Sequence, residues 1–277
     1  MVAQIDIRKN ETGVSESIGF MLIFSIIIAG IGLVTLYGYP MLLQQQVSAD
    51  EKIMEKNMIV LQNDIKSLAY KTVPYKETSL KIGSGSLTVY NSSYTPSSSA
   101  ITISDLGATY VNSFKPGELR FESVSSQTDI SLQNGAVVMR PRLSNGSVML
   151  SEPRWFYDIQ TNTLVINLIS ITSDNIMAKE GIGTVRMTLI NQDSQPPVIV
   201  SFPLRITFTP DNTLGGLDYT VAWDNYFSKT LNNPTDISVS RLGTPGQGVP
   251  LIYTISQVSS KPMRLVIKQS VVRIESI

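Results

Sequence analysis

The chain has 277 residues, with 22 basic and 22 acidic side chains, and it carries neither cysteine nor histidine. Those absences exclude disulfides, thiol catalysis, thiolate–metal sites and every mechanism that uses imidazole as base or ligand. Zero net charge, with only 16% charged residues, supplies no positive field for nucleic acid; the chemistry that survives is that of carboxylates, lysine or serine and of oxygen-ligated calcium.

The first predicted element is a long helix. No charged residue occurs between Ser17 and Ala49. The apolar run over residues 18–43 is about 26 residues, or about 39 Å as a helix, against a bilayer core of about 30 Å. It is long enough to span a membrane with some tilt. The rival reading, a buried core helix, is rarely apolar on all faces over such a length. A cleaved secretory signal has a shorter apolar region closed by a small-x-small site, and none closes this run before Gln44. Gly38 and Pro40 predict a kink or a melted turn, because proline lacks a donor and crowds the carbonyl of Leu36. Ser25, Ala29 and Gly32 lie near one-turn spacing, which permits close helix approach.

Past the apolar run the pattern becomes amphipathic. Met54, Met58, Leu61, Ile65 and Leu68 follow a 4-3-4-3 spacing, with Asp50, Glu51, Lys52, Glu55, Lys56, Asp64 and Lys66 between them. This neck covers residues 44–70, and Val73-Pro74 stops it. Two partners for the stripe stay open: the chain's own β-domain, or helices of neighbouring subunits.

From about Ser79 the period shifts from helical to alternating. Strands are predicted at 86–90, 100–104, 119–124, 136–140, 164–170, 184–190, 198–208, 219–222, 251–256 and 264–275, with a short helix at 224–230. Lys115-Pro116-Gly117, Asn134-Gly135, Asn145-Gly146 and the Gly243–248 stretch mark turns, and the last is read as a mobile one. The division is a leader over 1–13, a helix over 14–72 with its span at 18–43, and a β-rich domain over 79–277. The fold class is α+β: a long N-terminal transmembrane and amphipathic helix, then a mainly antiparallel, β-sandwich-like extracellular domain.

Asn91 and Asn145 open glycosylation sequons. The segment over 91–99 reads as a loop. No phosphate loop or Gly-x-Ser-x-Gly occurs, and Asp158, Asp211, Asp218 and Asp224 read as loop or turn residues. Trp155-Phe156-Tyr157 and Trp223, Tyr226 and Phe227 read as core anchors before sugar platforms. No catalytic residue, metal ligand or cofactor site is predicted.

The residues before the span carry a resemblance. Arg8-Lys9-Asn10-Glu11-Thr12-Gly13-Val14-Ser15-Glu16 is a short, partly basic leader that meets a glycine, then Val-Ser-Glu, then the apolar run, which closes on Gly38-Tyr39-Pro40. This resembles the class III leader of archaeal type IV pilins and archaellins. Gly135-Ala136-Val137-Val138 and the stretch over 147–153 are similar to the extracellular region of that family. The resemblance implies cutting by a prepilin-type peptidase between Gly13 and Val14. It also implies a helix that starts at Ser15 and Glu16, and self-association or assembly with other pilin-like subunits. Independently, an anion at Glu16 suits a helix N-terminus, with Ser15 or Thr12 as its cap. Arg8 and Lys9 before the span place the N-terminus in the cytoplasm and the β-domain outside. Three readings result: a non-enzymatic pilin-like subunit in contact with membrane lipid, a stand-alone anchored surface domain of adhesive or envelope-structural role, and an anchored glycan-acting enzyme that uses carboxylates alone.

Overall fold

A computed structural model of the protein describes residues 11–71, 73–92, 99–211, 218–231 and 235–277, with side chains from Glu16 onward. The chain divides into two units, one ending at Ala49 and one running from Asp50. The expected α+β architecture is present: a long apolar N-terminal helix precedes a mostly antiparallel β-domain.

The helix consists of α1 (Glu11–Leu33), a π-helical turn (Val34–Gly38) and α2 (Tyr39–Tyr70). It begins before Ser15 and Glu16, the expected start. Nothing in residues 11–14 stops it: no proline intervenes, and one glycine costs only about 1 kcal/mol. Nor does the chain melt at Pro40. The turn before it widens by one residue, so that the Tyr39 N–H donates to the Val34 carbonyl, five residues back. A π turn of this kind accommodates a missing donor without leaving the helix.

The second unit contains fifteen strands and one further helix among the described residues. In chain order these are β1 (Tyr75–Tyr90), β2 (Ala100–Ser104), β3 (Thr109–Phe114), β4 (Glu118–Ser123), β5 (Thr128–Gln133), β6 (Ala136–Pro141), β7 (Val148–Ser151), β8 (Phe156–Asp158), β9 (Thr163–Ser173), β10 (Met177–Ser194), β11 (Val198–Ile199), β12 (Leu204–Thr209), α3 (Thr220–Thr230), β13 (Ile237–Leu242), β14 (Leu251–Gln257) and β15 (Arg264–Ser276). A large sheet has the order β7-β6-β5-β4-β1-β10-β15-β9-β8, with β11 on β15, and a smaller one the order β13-β14-β12-β2-β3. The pairing of β15 with β9 is parallel and the rest are antiparallel.

Around β9 and β15 the large sheet is buried on both faces. Leu164, Ile166 and Leu168 of β9 join a core with the small sheet and α3, whereas Ile169 and Ile171 join a core with α2. Likewise Leu265 and Ile267 of β15 serve the first core, and Val272 and Ile274 the second. Side chains alternate between faces along a strand, so these sets lie on opposite sides. The sandwich of two sheets therefore gains a third layer, α2, on its far face. Beside the helix, Gly83 of β1 adopts φ +71° at a register shift, and a Cβ there would lie 3.1 Å from the Cβ of Asp50.

Several strands differ from expectation. Residues 219–222 open α3 instead of forming a strand. The Thr220 N–H donates to Asp218 Oδ1 at 2.8 Å and the Ala222 N–H to Ser147 Oγ at 2.9 Å. Acceptors supplied by the fold thus satisfy first-turn donors and override the β preference of Tyr-Thr-Val. The expected strand over 198–208 splits into β11 on the large sheet and β12 on the small one. Pro203 offers no donor, and the Ser201 N–H is taken by the Asp105 carboxylate at 2.8 Å.

Candidate functional site

The feature that stands apart is the surface of α1 and the start of α2. Sixteen aliphatic, phenyl or thioether side chains between Ile18 and Leu43 are exposed by 43–71%. None of the most apolar window of the Glu16–Tyr70 helix is buried, and it is long and apolar enough to cross a membrane. The polar groups inside this stretch are mostly self-satisfied. Ser25 Oγ donates to the Met21 carbonyl at 2.7 Å and Thr35 Oγ1 to the Ile31 carbonyl at 2.9 Å, which hides both hydroxyls from an apolar solvent. Tyr37 and Tyr39 follow, both exposed. From Glu16 to Tyr37 the rise is about 31 Å, the thickness of a hydrocarbon core, and tyrosine suits the headgroup level at its far edge.

The neck behaves in the opposite way. Met54, Met58, Leu61 and Ile65 are 0% exposed and Leu68 1%, packed against Leu80, Ile82, Leu119, Phe121, Val185 and Met187. Of the two partners left open by the spacing, the structure selects the chain's own β-domain. As an oligomer contact the stripe is corrected: all five side chains are used up internally. Gln62, fully buried beside them, donates through Nε2 to the carbonyls of Gly135 (2.7 Å), Glu152 (3.1 Å) and Ser151 (3.3 Å), and its Oε1 accepts from Ser151 Oγ at 2.5 Å. Sequence spacing missed this residue, because a glutamine between stripe positions reads as solvated. Gln192 Nε2 caps the helix end, donating to the Ala69 carbonyl at 2.9 Å.

The remaining candidate residues fall as follows. Gly13, Val14 and Ser15 lie on the backbone of α1, and their side chains are outside the described ones, as are Arg8 and Lys9 altogether. Glu16 is exposed. Asn145 is exposed, but the partner residue of its sequon, Ser147, is buried under α3. Asn91 is 6% exposed; its Nδ2 donates to the Ser173 carbonyl and its Oδ1 accepts from Thr172 Oγ1 at 3.1 Å. A glycan on that nitrogen has no room, so the Asn91 expectation is overturned by burial. The rest of its loop, residues 93–98, lies outside the described residues.

Carboxylates are tied into the fold. Asp158 caps its own turn through the Gln160 N–H at 3.0 Å and the Thr161 hydroxyl at 2.6 Å. Asp218 accepts from the N–H groups of Thr220 and Gly248, each at 2.8 Å, and Asp224 pairs with Arg241 and accepts from Tyr253 Oη at 2.8 Å. The Gly243–248 turn is therefore strapped to α3, not mobile; Gly246 N–H also donates to Thr220 Oγ1 at 2.8 Å. Across β4 and β5, Arg120 is buried with Glu118 and Glu122, and Arg142 grips Asp129 at 2.6–2.9 Å. No group of three metal-ligating side chains converges among the described residues. Trp155, Trp223, Tyr226 and Phe227 are buried in the small-sheet core, whereas Phe156 is 42% exposed.

No curated protein and no solved structure matches this chain. A family profile matches residues 12–240, from the start of the apolar helix into β13. With more than three quarters of its length inside that match, the chain belongs to the family of unknown function DUF7289.

Proposed function

We propose that this chain is a non-enzymatic, pilin-like surface protein that is held in the membrane by its N-terminal helix and displays the β-domain outside. The observation that carries this reading is the contrast along one continuous helix. The neck stripe is buried, while sixteen large apolar side chains before it are bare. Each is worth about 1.5–3 kcal/mol when removed from water, or about 25–50 kcal/mol together. Water is not a solvent for that segment; lipid or the apolar helices of like subunits are. Before assembly the span rests in lipid. After cutting between Gly13 and Val14 it packs with other spans in a filament core. The leader charges Arg8 and Lys9 support a cytoplasmic N-terminus.

One observation favours a plain anchor over a filament subunit: the neck stripe is spent on the β-domain, and only Ile53 and Val60 remain as exposed large apolar side chains between Asp50 and Tyr70. The two readings separate on the mature N-terminus. Membranes from cells with and without a prepilin-type peptidase are washed in alkaline carbonate, and the retained protein is analysed by mass spectrometry. Retention with Val14 at the N-terminus, only when the peptidase is present, supports the pilin-like reading. Retention with an intact leader leaves a stand-alone anchor. Release by carbonate refutes both.

A further inference from the structure

Helix α2 ends at Tyr70, but the sheet beneath it continues. Past the helix end lies a half-open cleft of about 260 Å³ on the same face of the large sheet, lined chiefly by Tyr70, Arg154, Phe156, Asn167, Gln192 and Lys268. Two of these are cations with no acidic partner among the described residues: Arg154 and Lys268 take part in none of the ion pairs of the domain. The nearby acid, Glu152, is engaged by Lys229 at 2.8 Å. Burial pushes the Lys66 ammonium below its ordinary pKa, against the pull of Glu152, with a smaller contribution from the repulsion of Arg154.

At the carbonyl end of α2 the Ala69 carbonyl is taken by Gln192, and the Arg154 guanidinium lies over the Tyr70 ring, 4.9 Å from its centroid. Asn167 and Gln192 each give one amide N–H to a backbone carbonyl, of Arg154 and Ala69 respectively, which turns the amide nitrogen to the fold. That leaves two amide oxygens with no donor among the described residues. Phe156 adds a phenyl face that is 42% exposed, although its neighbour Trp155 is buried.

We propose that this cleft binds a carboxylate-bearing sugar, a uronate unit of a surface glycan. Arg154 and Lys268 take the carboxylate by charge-assisted hydrogen bonds. Phe156 faces the apolar side of the ring, and the amide oxygens of Asn167 and Gln192 accept from its hydroxyls. Each competing class leaves part of this lining idle. A neutral sugar leaves two cations unpaired, and an inorganic anion does not use the aromatic face or the acceptors. The volume suits one ring, which is small for a binding cavity. The inference lies wholly in the unit from Asp50 onward and does not depend on the membrane reading.

The full chain in detergent micelles is titrated by calorimetry with glucuronate, glucose and inorganic phosphate. Glucuronate is expected to bind about tenfold more tightly than either of the others. The double variant R154Q/K268Q is expected to lose about tenfold, and Lys268→Gln alone, which breaks no side-chain ion pair among the described residues, about threefold. The melting temperature of Lys268→Gln stays at the wild-type value, which keeps a loss of binding distinct from a loss of folding. Absence of glucuronate binding, equal binding of glucose or phosphate, or an unchanged affinity in Lys268→Gln overturns the proposal.

Discussion

Leu61→Ala tests the assignment of the neck to the β-domain core. Leu61 is 0% exposed, in a cluster with Leu119, Phe121, Ile130 and Leu132. The substitution removes three carbon groups, at about 0.8 kcal/mol each for transfer alone. A cavity that the surrounding strands do not close raises the cost, so the expected loss is about 2.4–5 kcal/mol. For a domain of this size about 1 kcal/mol corresponds to about 2–4 °C, which places the fall in melting temperature at about 5–20 °C. The control is Leu36→Ala, at a position 71% exposed, which should leave domain stability within about 0.5 kcal/mol. Urea unfolding in micelles reads both through the fluorescence of Trp155 and Trp223, each buried in the native state. A loss below about 1 kcal/mol for Leu61→Ala, or equal losses for the two variants, would refute the idea that the stripe is domain core and the span is not.

Three further outcomes are expected. Gln62→Leu leaves the buried carbonyl of Gly135 without its Nε2 donor, costs about 2–3 kcal/mol and lowers the urea midpoint without changing the slope; an unchanged midpoint would show that bond to be dispensable. Burial pushes the Asp105 carboxyl up, but hydrogen bonds from the Tyr110 hydroxyl and the Ser201, Ala108 and Gly107 amides outweigh it and hold the pKa below the usual carboxylate range. Its stabilising contribution is thus complete above the unfolded value and vanishes as pH falls through the folded one; thermal melts from pH 5 to 2 should show a shallower acid limb in Asp105→Asn than in wild type. Peptide mapping of protein secreted by an N-glycosylating host should find Asn91 unmodified, since its side-chain amide is buried and bonded; occupancy there would contradict the packing of Asn91 on β9.

The span was legible because a charge-free run of that length has few physical explanations. The neck was half legible: a 4-3-4-3 stripe announces a buried face but carries no information on what buries it, and only tertiary packing chose between β-domain and neighbour. Strand β5, Thr-Asp-Ile-Ser-Leu-Gln, was invisible because its polar half faces inward, with Asp129 held by Arg142 and Ser131 by Glu118. The first part of β1 escaped for the converse reason, since most of its side chains up to Ser79 remain at least partly exposed. At residues 219–222 propensity was correct locally and lost to capping by Asp218 and Ser147. The glycines at 243–248 were read as freedom, yet their N–H groups are tied to Thr220 at the start of α3 and to Asp218 just before it. Arg154 and Lys268 lie more than a hundred residues apart, and nothing in either neighbourhood announces that the sheet brings them together.

β15 is the last element in chain order but sits inside the large sheet, between β10 and β9. Without it β9 and β8 have no strand pairing with those that precede them, and β9 meets that part of the chain only through local bonds such as those of Ile171 to Ser92 and Pro116. Both cores also wait for it, since β15 supplies Leu265 and Ile267 to one and Val272 and Ile274 to the other. The family match, which stops at residue 240, ends before the strand on which that closure depends.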